Sequence, residues 1–197
     1  MRTLILPGLN GSDEGHWQWH WQKDRPDAYI VGQDDWARPT LDCWVSNVER
    51  ALEREGEAYI VAHSLGCLVA AKIAQRLSAS RVKAALLVAP CDPGLTEEMH
   101  PDAITFGRLT EGKLPFPNLL VGSLNDHYMP IDRLVSLGRE WNASIFNLGM
   151  AGHINISSGF GRWAGGYSLL DGLAGKAKAQ KRKGGDQFDN QHEGYPC

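Results

Sequence analysis

Six short, nearly continuous apolar runs recur along the chain: RTLIL at 2–6, AYIV at 28–31, AYIVA at 58–62, KAALLVA at 83–89, NLLVGS at 118–123 and SIFNL at 144–148. Runs of this kind are expected of strands covered on both faces, as in a parallel sheet. Between them the period lengthens. In LDCWVSNVERALEREG, Leu41, Trp44, Val45, Val48, Ala51 and Leu52 fall on one helical stripe, and Gly56 supplies the stop. LGCLVAAKIAQRL and PIDRLVSLGREW carry the same signal. Strand and helix alternate, which predicts a doubly wound α/β sheet with right-handed crossovers. The expected single domain spans 1–174. From Gly175 a basic cluster gives way to polar chain with almost no apolar content, so 175–197 is expected to be disordered.

With 197 residues and 43% hydrophobic content, the chain can bury a sizeable core. A net charge of -3 gives no reason to expect nucleic acid or a membrane surface as partner. The first apolar stretch ends at Pro7, short of the ~7–15 residues of a signal peptide, and reads as a strand. Cys43, Cys67, Cys91 and Cys197 are widely spaced without a CxxC pair. That fits free thiols in a reducing cytoplasm better than disulfides or a zinc site.

The chemistry is expected in YIVAHSLGCLVAA, 59–71, where His63 and Ser64 interrupt an apolar run at the turn from strand to helix. A nucleophile elbow needs small residues two before and two after its serine, because strand and helix backbones approach closely there. Gly66 meets the second requirement; Ala62 stands where glycine is usual. A serine so placed projects beyond the sheet, and the Leu65 amide at the helix N-terminus points where an oxyanion would form. The competing reading is an N-cap serine. Two later strand ends tip the balance. Asp126 follows NLLVGS and His153 follows SIFNL, both on the sheet edge that carries Ser64, in the order Ser, Asp, His of α/β-hydrolases. Asp92, after the fourth strand, is the runner-up acid. His63 should point away from its neighbour Ser64, Asp132 should complement a helix dipole, and Cys67 should pack in the core.

PGLNGSDEGHWQWHW follows the first strand. The first and third strands would be neighbours, so this loop faces Ser64, and the amide of Leu9 (or Asn10) could complete an oxyanion hole with Leu65. Asn10, Trp17 and His127 are candidate substrate contacts, and Trp36 a candidate for the pocket floor. His16 and His20 have a helical metal spacing, but Trp17 stands where a zincin carries glutamate, so packing is the expected role and no metal or other cofactor is implied. Neither GxGxxG nor a P-loop pattern is present.

AHSLGCLVAA, QDDW, VAPCDP, LPFPNLLVGSLNDHYMP and AGHINISSGFGRW together resemble the small serine hydrolases that include the retinoblastoma-binding serine hydrolases and many bacterial proteins. The resemblance runs from about Arg2 to Trp163. It implies an α/β-hydrolase fold with six parallel strands and a triad of Ser64, Asp126 and His153. LDCWV has Leu41 and Cys43 of an LxCxE segment but Val45 in place of the acid, so the retinoblastoma partnership is not implied. The roughly thirty residues between Ala89 and Asn118 are too few for a large helical cap, and an open pocket for a small ester or amide is expected.

Overall fold

The computed structural model describes residues 1–108 and 110–189. Six strands, β1 (Arg2–Leu6), β2 (Ala28–Ile30), β3 (Ala58–His63), β4 (Val82–Val88), β5 (Asn118–Gly122) and β6 (Ser144–Asn147), form one sheet. All pairings are parallel, in the order β2-β1-β3-β4-β5-β6. Each coincides with an expected apolar run to within a residue at either end.

Helices cover both faces. Alternate strand residues point to opposite sides. Leu4, Leu6, Ile60, Ala62 and Leu87 pack with Trp44, Val48 and Leu52 of α2 (Leu41–Glu55), with α3 (Leu65–Ile73), and with Leu134 and Leu137 of α5 (Ile131–Glu140). Ile5, Val61, Leu86 and Val88 pack with Trp17 and Trp21 of α1 (Trp17–Asp24) and Leu170 of α6 (Ala164–Asp189). Burial on both sides explains why the strands read as unbroken apolar runs. β6 is the exception: it closes the sheet at one edge and all four of its residues are exposed.

Among the described residues between β4 and β5 there is one short helix, α4 (Pro93–Met99), and no large cap covers the sheet. Helix α6 runs past Gly175 to Asp189, into the segment for which the sequence predicts disorder. Leu170 anchors its first turns on the sheet. Residues 176–183, KAKAQKRK, are good helix formers, whereas Gly184 and Gly185 after them are poor ones. Residues 190–197 lie outside the described residues. Among the described residues, no helix is long and apolar enough to cross a membrane.

β1 and β3 are neighbours, with Leu6 beside Ala62. The chain leaves β1 toward β2 and leaves β3 toward β4 on the other side. The crevice between these departures is where the first loop meets the Ser64 turn.

Candidate active site

Ser64 sits between β3 and α3 with φ 53° and ψ −122°, a strained backbone for a residue with a side chain. Its amide is held by the Val88 carbonyl at 3.1 Å. It occupies the N-cap position of α3, yet its side chain makes no capping hydrogen bond. The hydroxyl bonds instead to His153 Nε2 at 3.0 Å. The turn is tight because Gly66 allows it. A Cβ there would lie 2.2 Å from the Leu6 carbonyl oxygen and 2.7 Å from that of Pro7.

His153 and Asp126 complete the chain. His153 Nδ1 lies 3.0 and 2.9 Å from the two Asp126 carboxylate oxygens, and all three residues are buried. With Nδ1 donating to a carboxylate, Nε2 is left to accept the Ser64 hydroxyl. The Asp126 carboxylate also accepts the Tyr128 amide at 2.9 Å. Asp92, the other candidate acid, is engaged elsewhere. It caps α4 by accepting the Leu95 amide and pairs with Arg133 at 2.8 Å. Asp132 lies in the first turn of α5.

The loops bearing Asp126 and His153 are tied by polar groups that the sequence did not flag. The Ser123 hydroxyl accepts the Ala151 amide at 3.0 Å, and Asn125 Oδ1 accepts the Gly152 amide at 2.8 Å. The Ser158 hydroxyl accepts the His153 amide at 3.1 Å. Gly152 has φ +56°, and a Cβ on it would lie 2.4 Å from that hydroxyl. Ser and Asn two residues apart after a strand are the only local hint of such loop-to-loop bonding.

On the opposite wall, Gly8 approaches Ser64 so closely that a Cβ would sit 2.7 Å from the serine Cβ. The Asn10 amide is taken by the Trp36 carbonyl at 2.8 Å, whereas the Leu9 amide has no backbone acceptor among the described residues. Both remaining amides belong to the rim around Ser64: Leu65 opens α3, and Leu9 lines the cavity.

That cavity is about 290 Å³ and is lined by Leu9, Asn10, His16, Ser64, Tyr128 and His153, among others. Two expected contacts are displaced by one position. Trp17 lies behind the site: it donates to the Ile154 carbonyl at 2.9 Å and meets His63 edge-on at 5.8 Å. Its neighbour His16 lines the cavity instead. His127 is exposed, and Tyr128 lines the cavity, its ring 4.4 Å from that of His153. Trp36 packs edge-on against Trp44 rather than flooring the pocket. His16 is the N-cap of α1: its backbone is extended, with ψ 143°, and its Nδ1 is engaged by the Gln18 amide. Among the described residues, no group of three or more His, Cys, Asp or Glu is placed to hold a metal ion. Burial pushes the Cys67 thiol well up and the Cys91 thiol to about 11, so both stay protonated near neutral pH.

No curated protein matches the chain. Among solved structures, a YdeN-like hydrolase from Pectobacterium atrosepticum is 30% identical, covering 89% of this chain and 91% of its own, with a TM-score of 0.78. The ydeN gene product of B. subtilis is 21% identical over 87% of this chain and 97% of its own, at a TM-score of 0.69. Esterase 2 of Thermogutta terrifontis, phosphonylated by cyclosarin, shares 13% identity over 89% and 83% of the two chains, at a TM-score of 0.64. The last two likenesses are of fold. The model of the serine hydrolase family matches residues 3–172, and the chain belongs to that family.

Proposed function

We propose that this protein hydrolyses a small carboxylic ester, or an amide, through a Ser64–His153–Asp126 triad and an acyl-enzyme. The supporting observation is the continuous hydrogen-bonded path from the Ser64 hydroxyl through His153 to the Asp126 carboxylate. Ser64 Oγ attacks the carbonyl carbon as its proton passes to His153 Nε2. The tetrahedral oxyanion receives the Leu65 and Leu9 amides, each of the kind whose loss costs ~10²–10³ in rate. His153 then protonates the leaving oxygen or nitrogen, and the alcohol or amine departs. Water attacks the acyl-serine, gives its proton to His153, and the acid leaves as Ser64 recovers its hydrogen. Asp126 holds the imidazole tautomer and stabilises the imidazolium throughout. The cavity volume of about 290 Å³ suits a short acyl group.

A fluorophosphonate probe tests this reading. The T. terrifontis esterase of the same fold is itself phosphonylated, which makes the reagent appropriate. Labelling that disappears in Ser64→Ala is the expected result. Folded wild-type protein that neither labels nor cleaves p-nitrophenyl esters would overturn the proposal and leave a binding protein with an idle triad.

A further inference from the structure

His16 uses its two ring nitrogens differently. As N-cap of α1 it accepts the Gln18 amide on Nδ1 at 3.2 Å. An uncharged imidazole that accepts on Nδ1 carries its proton on Nε2. Burial above all, with a smaller contribution from His153 and opposition from Asp13, lowers its pKa to about 4, so the ring is neutral at pH 7. Among the described residues, Nε2–H has no partner within the protein, and the ring lines the same cavity as Ser64.

Capping alone does not require histidine. Asn, Asp, Ser and Thr are the favoured caps and are smaller. What histidine adds is a donor on the far side of the ring, in a residue only 6% exposed. That donor is open to the cavity, where a ligand oxygen can take the place of solvent. Among the described residues, none that lines the cavity is Lys, Arg, Asp or Glu. A carboxylate entering it would shed water without meeting a cation, so the matching ligand is a neutral oxygen.

We infer that His16 Nε2–H recognises an oxygen acceptor on the acyl group, which makes the preferred substrates esters of short, neutral acids oxygenated near the carbonyl. The inference builds on Ser64 as nucleophile. It gives the cavity a polarity preference that the triad does not supply, because the triad contacts only the reacting carbonyl.

Isosteric ester pairs provide the test: p-nitrophenyl methoxyacetate against butyrate, and 3-methoxypropanoate against pentanoate. Each pair exchanges one oxygen for a methylene. The kcat/KM ratio within each pair is compared between wild type and His16→Asn, which cancels the intrinsic reactivity of the esters. Asparagine keeps the cap acceptor and removes the distal donor. The wild-type ratio is expected to exceed that of the variant by about tenfold in at least one pair, the size of a neutral hydrogen bond. His16→Gln, whose amide nitrogen reaches toward the same point, is expected to restore part of the preference. Equal ratios in wild type and His16→Asn for both pairs, with Ser64 labelled by fluorophosphonate in each protein, overturn the inference while leaving the triad intact. Absence of labelling and turnover in wild type sinks the triad reading instead.

Discussion

His63 Nε2 lies 2.9 Å from the backbone oxygen of His153, so the residue before the serine anchors the main chain of the residue bonded to its hydroxyl. A carbonyl only accepts, so the ring must donate from Nε2. Burial first, then the neighbouring His153 and His16 rings, hold the His63 pKa well below the usual histidine range. The ring is therefore neutral. That matters because it lies 4.9 Å from the His153 ring, where a second cation would oppose an imidazolium.

Replacing His63 separates positioning from packing. His63→Ala removes the donor and leaves a cavity, and should cost about 1–3 kcal/mol of stability together with a fall in kcat. His63→Gln can still donate to the His153 carbonyl and should recover more of kcat than of the melting temperature. Equal recovery of both in thermal melts and ester kinetics would argue that His63 only fills space.

Asp126 and Asp92 make opposite predictions. Asp126→Asn leaves the shape of the site but favours the wrong imidazole tautomer, so kcat should fall by ~10⁴-fold with little change in folding. Asp92→Asn keeps a capping acceptor but loses its charge beside Arg133. It should lower kcat less than threefold. Steady-state kinetics on the two variants decide between them.

Two glycines fail differently. Gly66→Ala drives a Cβ to 2.2 Å from the Leu6 carbonyl oxygen, a backbone atom that cannot swing aside, and should destabilise by about 3 kcal/mol or more. Gly8→Ala places its Cβ 2.7 Å from the Ser64 Cβ and 3.2 Å from Oγ, and should slow fluorophosphonate labelling more than it lowers the melting temperature. Melting curves and labelling rates measured side by side check both.

Acid should weaken the fold before the carboxylates titrate. The folded-state pKa of His16 is about 4 against an unfolded value of 6.5, so between those values the unfolded chain binds more protons. Stability rises with pH across that window and falls as pH drops from 6.5 toward 4, by about 3 kcal/mol from His16 alone. His63 acts in the same direction. Urea unfolding at pH 7 and 4.5 reads the difference, and His16→Asn should flatten it.

Much of this protein is legible in its residues. Buried strands announce themselves as unbroken apolar runs because both faces of a parallel sheet are covered, so such runs mark β1, β3 and β5 to within a residue. The elbow is legible because Gly66 permits a backbone approach that a larger residue would block. Chain order then pointed to Asp126 and His153, which the fold brings into one hydrogen-bonded path with Ser64.

Tertiary structure decided the rest, for reasons of direction and partnership. Sequence places Trp17 and His127 at the right loops, but only the rotation of each segment determines that His16 and Tyr128 line the cavity in their stead. That Asp126 meets His153 while Asp92 meets Arg133, and that the Asn10 amide meets Trp36, cannot be read from strand ends, since both members of each pair follow the right strands. A periodic pattern records which side of an element is apolar; which polar atom meets which depends on distances between segments far apart in the chain.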